Sequence, residues 1–206
     1  MTTVTGMQRT VTVAGHGTTK AVPDSAMVRV AATHQAPTVA EAVAGVDSAM
    51  SVVSRVAREY TDAARIQSSG MQVWSSHDRE GRPNGFEASH QVSVGVPNLP
   101  AASALVVALA EEVGDRLRIE AVRLEISNPA GALAQAREAA FADARARAEH
   151  LAGLAGASLG EVLTLVEGGQ VAGPAPLRAM AAMADGGFEA GESAISGAVT
   201  VTWQLV

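Results

Sequence analysis

Cysteine is absent from this 206-residue chain, and lysine occurs once, at Lys20. Without thiols there are no disulfides, thiolate metal sites, iron–sulfur clusters or cysteine nucleophiles. The redox compartment stays open, because a cysteine-free chain suits either environment. Aromatic residues are also scarce, at 3%: Tyr60, Trp74, Phe86, Phe141, Phe188 and Trp203. The core must therefore be built from Val, Leu, Ile, Met and much Ala, and elements with such small side chains should pack closely. The longest run of small apolar residues, 101–110, ends in Glu111-Glu112 and is too short to span a bilayer. No basic segment followed by an apolar stretch opens the sequence. As it stands the sequence reads as cytoplasmic, or as periplasmic or cell-envelope if it represents a mature form. Positive charge is outnumbered, with 15 Lys and Arg against 21 Asp and Glu and a net charge of −6. Such a surface is repelled by phosphate backbones and anionic headgroups, which argues against a nucleic-acid partner.

What is present suffices for a folded body. Hydrophobic residues make up 48%, and a compact chain of this length buries about 70% of its unfolded surface. Val11 and Val13 alternate with threonines and then meet Gly15-His16-Gly17, which reads as a short strand and a turn. Ala26, Val28, Val30 and Ala32 share one face of a second strand. Val39, Val43, Val46, Met50, Val53, Ala57 and Tyr60 form one apolar stripe at helical spacing, predicting a helix over 38–60. Residues 66–77 read as a strand, Asn84-Gly85 as a hairpin turn, and 86–96 as a half-buried antiparallel strand. Asn98 and Pro100 open a shorter helix that stops at Gly114. In the strand over 117–127 the inward parity changes between Ile119 and Val122, which predicts a bulge. A long Ala-rich helix spans 129–155, with Asp143–Arg147 and Arg145–Glu149 as i,i+4 pairs. A strand at 162–166, a Gly- and Pro-rich loop over 168–191 and an alternating strand over 193–206 complete the chain. The fold class is α+β: an antiparallel or mixed sheet whose one face carries the two long helices and the shorter one, because each long helix has a single stripe to bury. Strand, helix and strand pair recur at 26–77 and 86–127, so a duplicated plan is conceivable, though no residue-level identity marks a repeat.

Four stretches, taken in order, resemble the SIMPL domain family. They are Val11-Thr-Val-Ala-Gly-His-Gly17 with Pro23-Asp24-Ser-Ala26, and Ile66-Gln-Ser-Ser69. The third is the helix from Ala136 through Glu149 to Gly156 and Leu159-Gly160, and the fourth is Gly191-Glu192 with the alternation to Val206. Bacterial members of that family include oxidative-stress-defence proteins and a periplasmic immunogenic antigen. The resemblance implies one α+β domain over 10–206 after a tail at 1–9, and a tendency to form ring-like or channel-like homo-oligomers. It carries no catalytic, cofactor-binding or metal residues to assign.

The residues themselves offer few chemical constellations. Gly15-His16-Gly17 follows a strand, but a dinucleotide fingerprint would need its third glycine at Lys20, and Pro23 leaves no room for the phosphate-binding helix. His77, Asp78, Glu80, Glu87 and His90 gather about the predicted hairpin. A turn centred on Pro83-Asn84 sets His77 opposite His90 and Glu80 opposite Glu87, a divalent-metal face that would suit a metal-dependent hydrolase. A turn centred on Asn84-Gly85, which type I′ chemistry favours, pairs Arg82 with Glu87 and separates the histidines. No nucleophile-elbow motif occurs, and Ser75 and Ser76 lie on a strand. His16, His34 and His150 are scattered, and Asp24 reads as a turn residue.

The expectation is thus a homo-oligomeric, non-enzymatic protein with an assembly or binding role in the vein of stress defence. A metal-dependent hydrolase centred on the hairpin and an adaptor docking a protein through 168–191 are the alternatives. Self-association rests on the resemblance and on the last strand, whose edge carries no blunting Lys or Pro. Unless that strand is central in its sheet, another subunit should cover it.

Overall fold

A computed structural model describes residues 9–168 and 188–206. Their contacts divide into two units, one of residues 9–22, 128–168 and 192–206, the other of residues 23–127 and 188–191. Each has its own antiparallel sheet, and the fold is α+β.

The larger unit orders its sheet β3-β4-β2-β5, from β2 (Ser25–Ala36), β3 (Ile66–His77), β4 (Pro83–Val96) and β5 (Leu117–Glu125). Helix α1 (Val39–Ala57) starts in a capping box, where Thr38 Oγ1 accepts from the Glu41 amide and Glu41 returns a bond to the Thr38 amide. Helix α2 (Leu99–Val113) is capped by Asn98, whose Oδ1 accepts from the Ala101 amide at 2.8 Å, and ends at Gly114 in a positive-φ conformation. Both helices lie on one face, over Val28, Val30, Val92, Val94 and Val96, into which Val46, Val53, Leu105 and Leu109 pack without exposure. The predicted bulge is present: β2 pairs with Ala121 and then Ile119, passing over Glu120.

The smaller unit orders β1-β7-β6, from β1 (Thr10–Ala21), β6 (Leu159–Glu167) and β7 (Ser193–Leu205), under helix α3 (Ala130–Leu154). The buried line of α3 is alanine alone, Ala136, Ala140, Ala144, Ala148 and Ala152, at a strict spacing of four. Opposite it stand Gly15, where a Cβ would overlap the Ala140 carbonyl oxygen, and Gly17, where one would overlap that of Ala136. Alanine against glycine brings helix and strand backbones into direct contact, and Val13, Val199, Val201 and Trp203 fill the remainder.

Three expectations are corrected. The long helices do not share a sheet: α1 covers β2 and β4, whereas α3 covers β1 and β7. Gly15-His16-Gly17 is no turn, because β1 runs straight through it; the glycines serve close approach rather than chain reversal. The last strand is central, with β1 on one side and β6 on the other, so it leaves no edge. The loop reading over 168–191 lies outside the described residues apart from 168 and 188–191. Of these, Phe188 packs partly buried on the core of the larger unit.

Candidate functional site

The hairpin cluster is dispersed by its turn. Asp78 Oδ1 accepts from the amides of Glu80 and Arg82, both at 2.9 Å, and Gly81 supplies a positive φ. The turn is therefore centred on Arg79-Glu80-Gly81, and both expected centres, Pro83-Asn84 and Asn84-Gly85, lie inside β4. His77 faces Pro83 and His90 faces Met71, so neither predicted register forms. Gly85 is needed for a different reason: a Cβ there would overlap the Ala36 carbonyl oxygen. The Arg82 amide, then that of Glu80, hold the Asp78 carboxyl below the usual aspartate range. Arg82 also pairs with Asp78 and Glu80, while Glu87 lies 3.6 Å from Arg118 on another strand. His90 Nε2 meets Ser68 Oγ at 3.1 Å, and its buried Nδ1 has no partner among the described residues. No three His, Asp or Glu side chains among the described residues converge on a metal-sized site.

The other singled-out residues serve structure. The His16 amide donates to Asp143 Oδ2 at 2.9 Å, and its side chain is exposed. His34 lies under α1, where a Cβ on Gly45 would overlap its ring. His150 is exposed on α3. Asp24 does more than turn the chain. Its carboxylate accepts from the Ser127 hydroxyl at 2.6 Å and the Ser127 amide at 2.7 Å, and these two bonds lower its pKa in that order. With the Asp24 amide on the Glu125 carbonyl at 3.1 Å, they tie together the points where the chain enters and leaves the larger unit.

The most exposed apolar features are strands, which the motif search did not single out. β6 pairs with β7 on one side and with no described strand on the other. Val162, Leu163, Leu165 and Val166 are 46%, 43%, 57% and 53% exposed. The signal was in the sequence: Val162-Leu163 and Leu165-Val166 are apolar at both parities, as in a strand covered on both faces. At the other edge of the sheet, Arg147 Nη1 donates to the Ala14 carbonyl at 3.3 Å, beside the Asp143 bond to the His16 amide, and strand β1 is thereby capped by α3. In the larger unit Tyr60, Leu99, Val107 and Phe188 line an open apolar groove along α2. No described helix is long and apolar enough to cross a membrane.

Two antiparallel sheets, each with helices on a single face, define an α+β protein. The chain belongs to the SIMPL family, described as a protein of unknown function (DUF541), whose model matches residues 11–203 and so spans both units. No curated protein matches the chain.

Proposed function

We propose that this SIMPL-family protein works as an assembly component that associates with copies of itself through the free edge of β6. The observation that carries the reading is the state of that strand. Its outer backbone donors and acceptors meet no described strand, and four of its apolar side chains stand 43–57% exposed without a Lys or Pro among them. Monomeric proteins blunt such edges; α3 side chains do so at β1, whereas β6 is interrupted only by the register shifts between Leu159 and Thr164. A second copy pairing along β6 satisfies the backbone and buries Leu163 and Leu165 together. Like strands meeting antiparallel give a closed twofold interface. The interaction is mainly apolar, so added salt should weaken it little.

A sizing column with in-line light scattering tests this. The expected mass is a multiple of 20.9 kDa, falling to a single chain in the double variant Leu163→Lys/Leu165→Lys. A mass of one chain for the unmodified protein across a hundredfold concentration range, with no effect of the lysines, overturns the reading.

A further inference from the structure

We propose that Asn84-Gly85 is a self-modifying site, where the Gly85 nitrogen attacks the Asn84 side chain and water opens the resulting succinimide mainly to isoaspartate. Gln35 is the positioning residue. In sequence the pair looks like a hairpin turn, yet Asp78 fixes the turn and leaves Asn84-Gly85 inside β4. There the ladder to β3 pairs Ser76 with Gly85 and His77 with Pro83, so Asn84 is a bulge residue with no partner on that strand. On the other side β2 stops pairing at Phe86. Asn84 is exposed. Its backbone carbonyl accepts from Gln35 Nε2 at 3.3 Å, whereas its carboxamide makes no hydrogen bond among the described residues.

Three asparagines occur in the chain, and the other two lack what the reaction needs. Asn98 Oδ1 is held by the Ala101 amide at 2.8 Å, and the side chain of Leu99 crowds the next nitrogen. Asn128 precedes Pro129, whose nitrogen has no proton to lose. Gly85 has that proton and no side chain in the way. Its nitrogen loses the proton to solvent and bonds to Asn84 Cγ; the Cγ–Nδ2 bond breaks and the nitrogen leaves as ammonia. Water then adds to one ring carbonyl. Attack at Cγ restores the backbone as aspartate. Attack at the main-chain carbonyl breaks its bond to the Gly85 nitrogen, and the chain then runs through Cγ as isoaspartate. Gln35 donates to the oxygen that gains charge when the Gly85 nitrogen deprotonates and when water attacks the main-chain carbonyl, so it favours both steps. Water enters by an open depression lined by Gln35, Pro37, Asn84 and Gly85. The longer isoaspartyl backbone has little room, because even a Cβ on Gly85 would overlap the Ala36 carbonyl oxygen.

The test ages the full chain in mildly alkaline buffer, beside the same chain unfolded in urea, and cuts both after glutamates. The peptide Gly81–Glu87 then carries Asn84 alone, with Asn98 and Asn128 in other peptides. In the folded protein that peptide should convert from amide to acid, faster as pH rises. Labelling by an isoaspartyl methyltransferase should show isoaspartate in excess over aspartate. Gln35→Ala should slow the conversion severalfold and raise the share of aspartate, which a merely structural role would not do. Aged protein should melt below fresh protein, while Asn84→Asp, with the same charge and a normal backbone, should melt like the parent. A peptide that stays unconverted in the folded protein while the unfolded chain reacts would show that the fold protects the bond, and overturns the proposal. Equal conversion at Asn98 does the same. A rate and product ratio untouched by Gln35→Ala overturns the role given to Gln35.

Discussion

The two edges of the three-stranded sheet have opposite treatment. At β1 the side chains of one helix reach over the rim: Asp143 takes the His16 amide, Arg147 reaches the Ala14 carbonyl, and the two are themselves paired at 3.1 Å. The exposed residues of that strand are Thr10, Thr12, Ala14, His16, Thr18 and Lys20. At β6 no described strand pairs with the rim, and Val162, Leu163, Leu165 and Val166 are exposed beside Glu161, Thr164 and Glu167. The helix reaches β6 only at its end, where Arg137 pairs with Glu167 at 2.6 Å. The other sheet ends in β3 and β5, where register shifts fall at Ser69 and at Glu120, and β6 itself is shifted between Leu159 and Thr164. What separates β6 from β1 is its row of exposed Val and Leu.

The largest expected effect comes from separating α3 from the sheet, which would destroy the contrast. Gly17→Val places a side chain into the Ala136 carbonyl, where only backbone could yield. It should cost more than about 3 kcal/mol in urea unfolding. Gly131→Ala, at a position with open space around it, should change stability by less than about 1 kcal/mol. Equal effects of the two would show that the helix does not ride on the glycines. Next in size is Val46→Asp, which puts an unpaired charge into the fully buried core under α1 and should unfold the larger unit. Cooperative melting like that of the parent would contradict the packing described.

Sharpening the contrast takes milder changes. Asp143→Ala removes the acceptor for the His16 amide at a cost of about 0.5–1.5 kcal/mol, read as His16 exchange faster by up to about tenfold. It should also promote association through β1. Unchanged exchange at His16 would show that the helix does not guard that edge. The smallest effect concerns the turn that sets the register of β3. The Asp78 pKa is lowered in the folded state, chiefly by the Arg82 amide. Its contribution is therefore present above the ordinary aspartate value and is lost as pH falls through the lower, folded value. The Glu80 and Arg82 amide resonances should titrate together below the ordinary aspartate range, and titration at or above that range contradicts the bonds.

Elements with a strong local signature were legible in the sequence. The stripe of α1, the Asn98 cap, the Gly114 stop and the bulge near Glu120 depend on neighbouring residues, and all are present. Features that depend on distant partners were not. Gly15 and Gly17 look like a turn until the alanines of a helix more than 100 residues away lie against them. The hairpin register went to the Asp78 side chain rather than to Asn84-Gly85, because an aspartate accepting two amides fixes the turn five residues early. The centrality of β7 depends on pairing with the first strand of the chain, a contact that spacing cannot reveal. The candidate site was hidden for the same reason. The apolar residues of β6 at both parities were legible in the sequence, but its position at the edge of the sheet was not, because that depends on β7 pairing with β1.

Hydrogen exchange measured as a function of protein concentration tests the difference between the edges most directly. Amides of β6 that face away from β7 should gain protection as concentration rises, while the outward amides of β1, already held by α3, should not change. Exchange at β6 that is independent of concentration, or protection that rises equally at β1, would contradict the account.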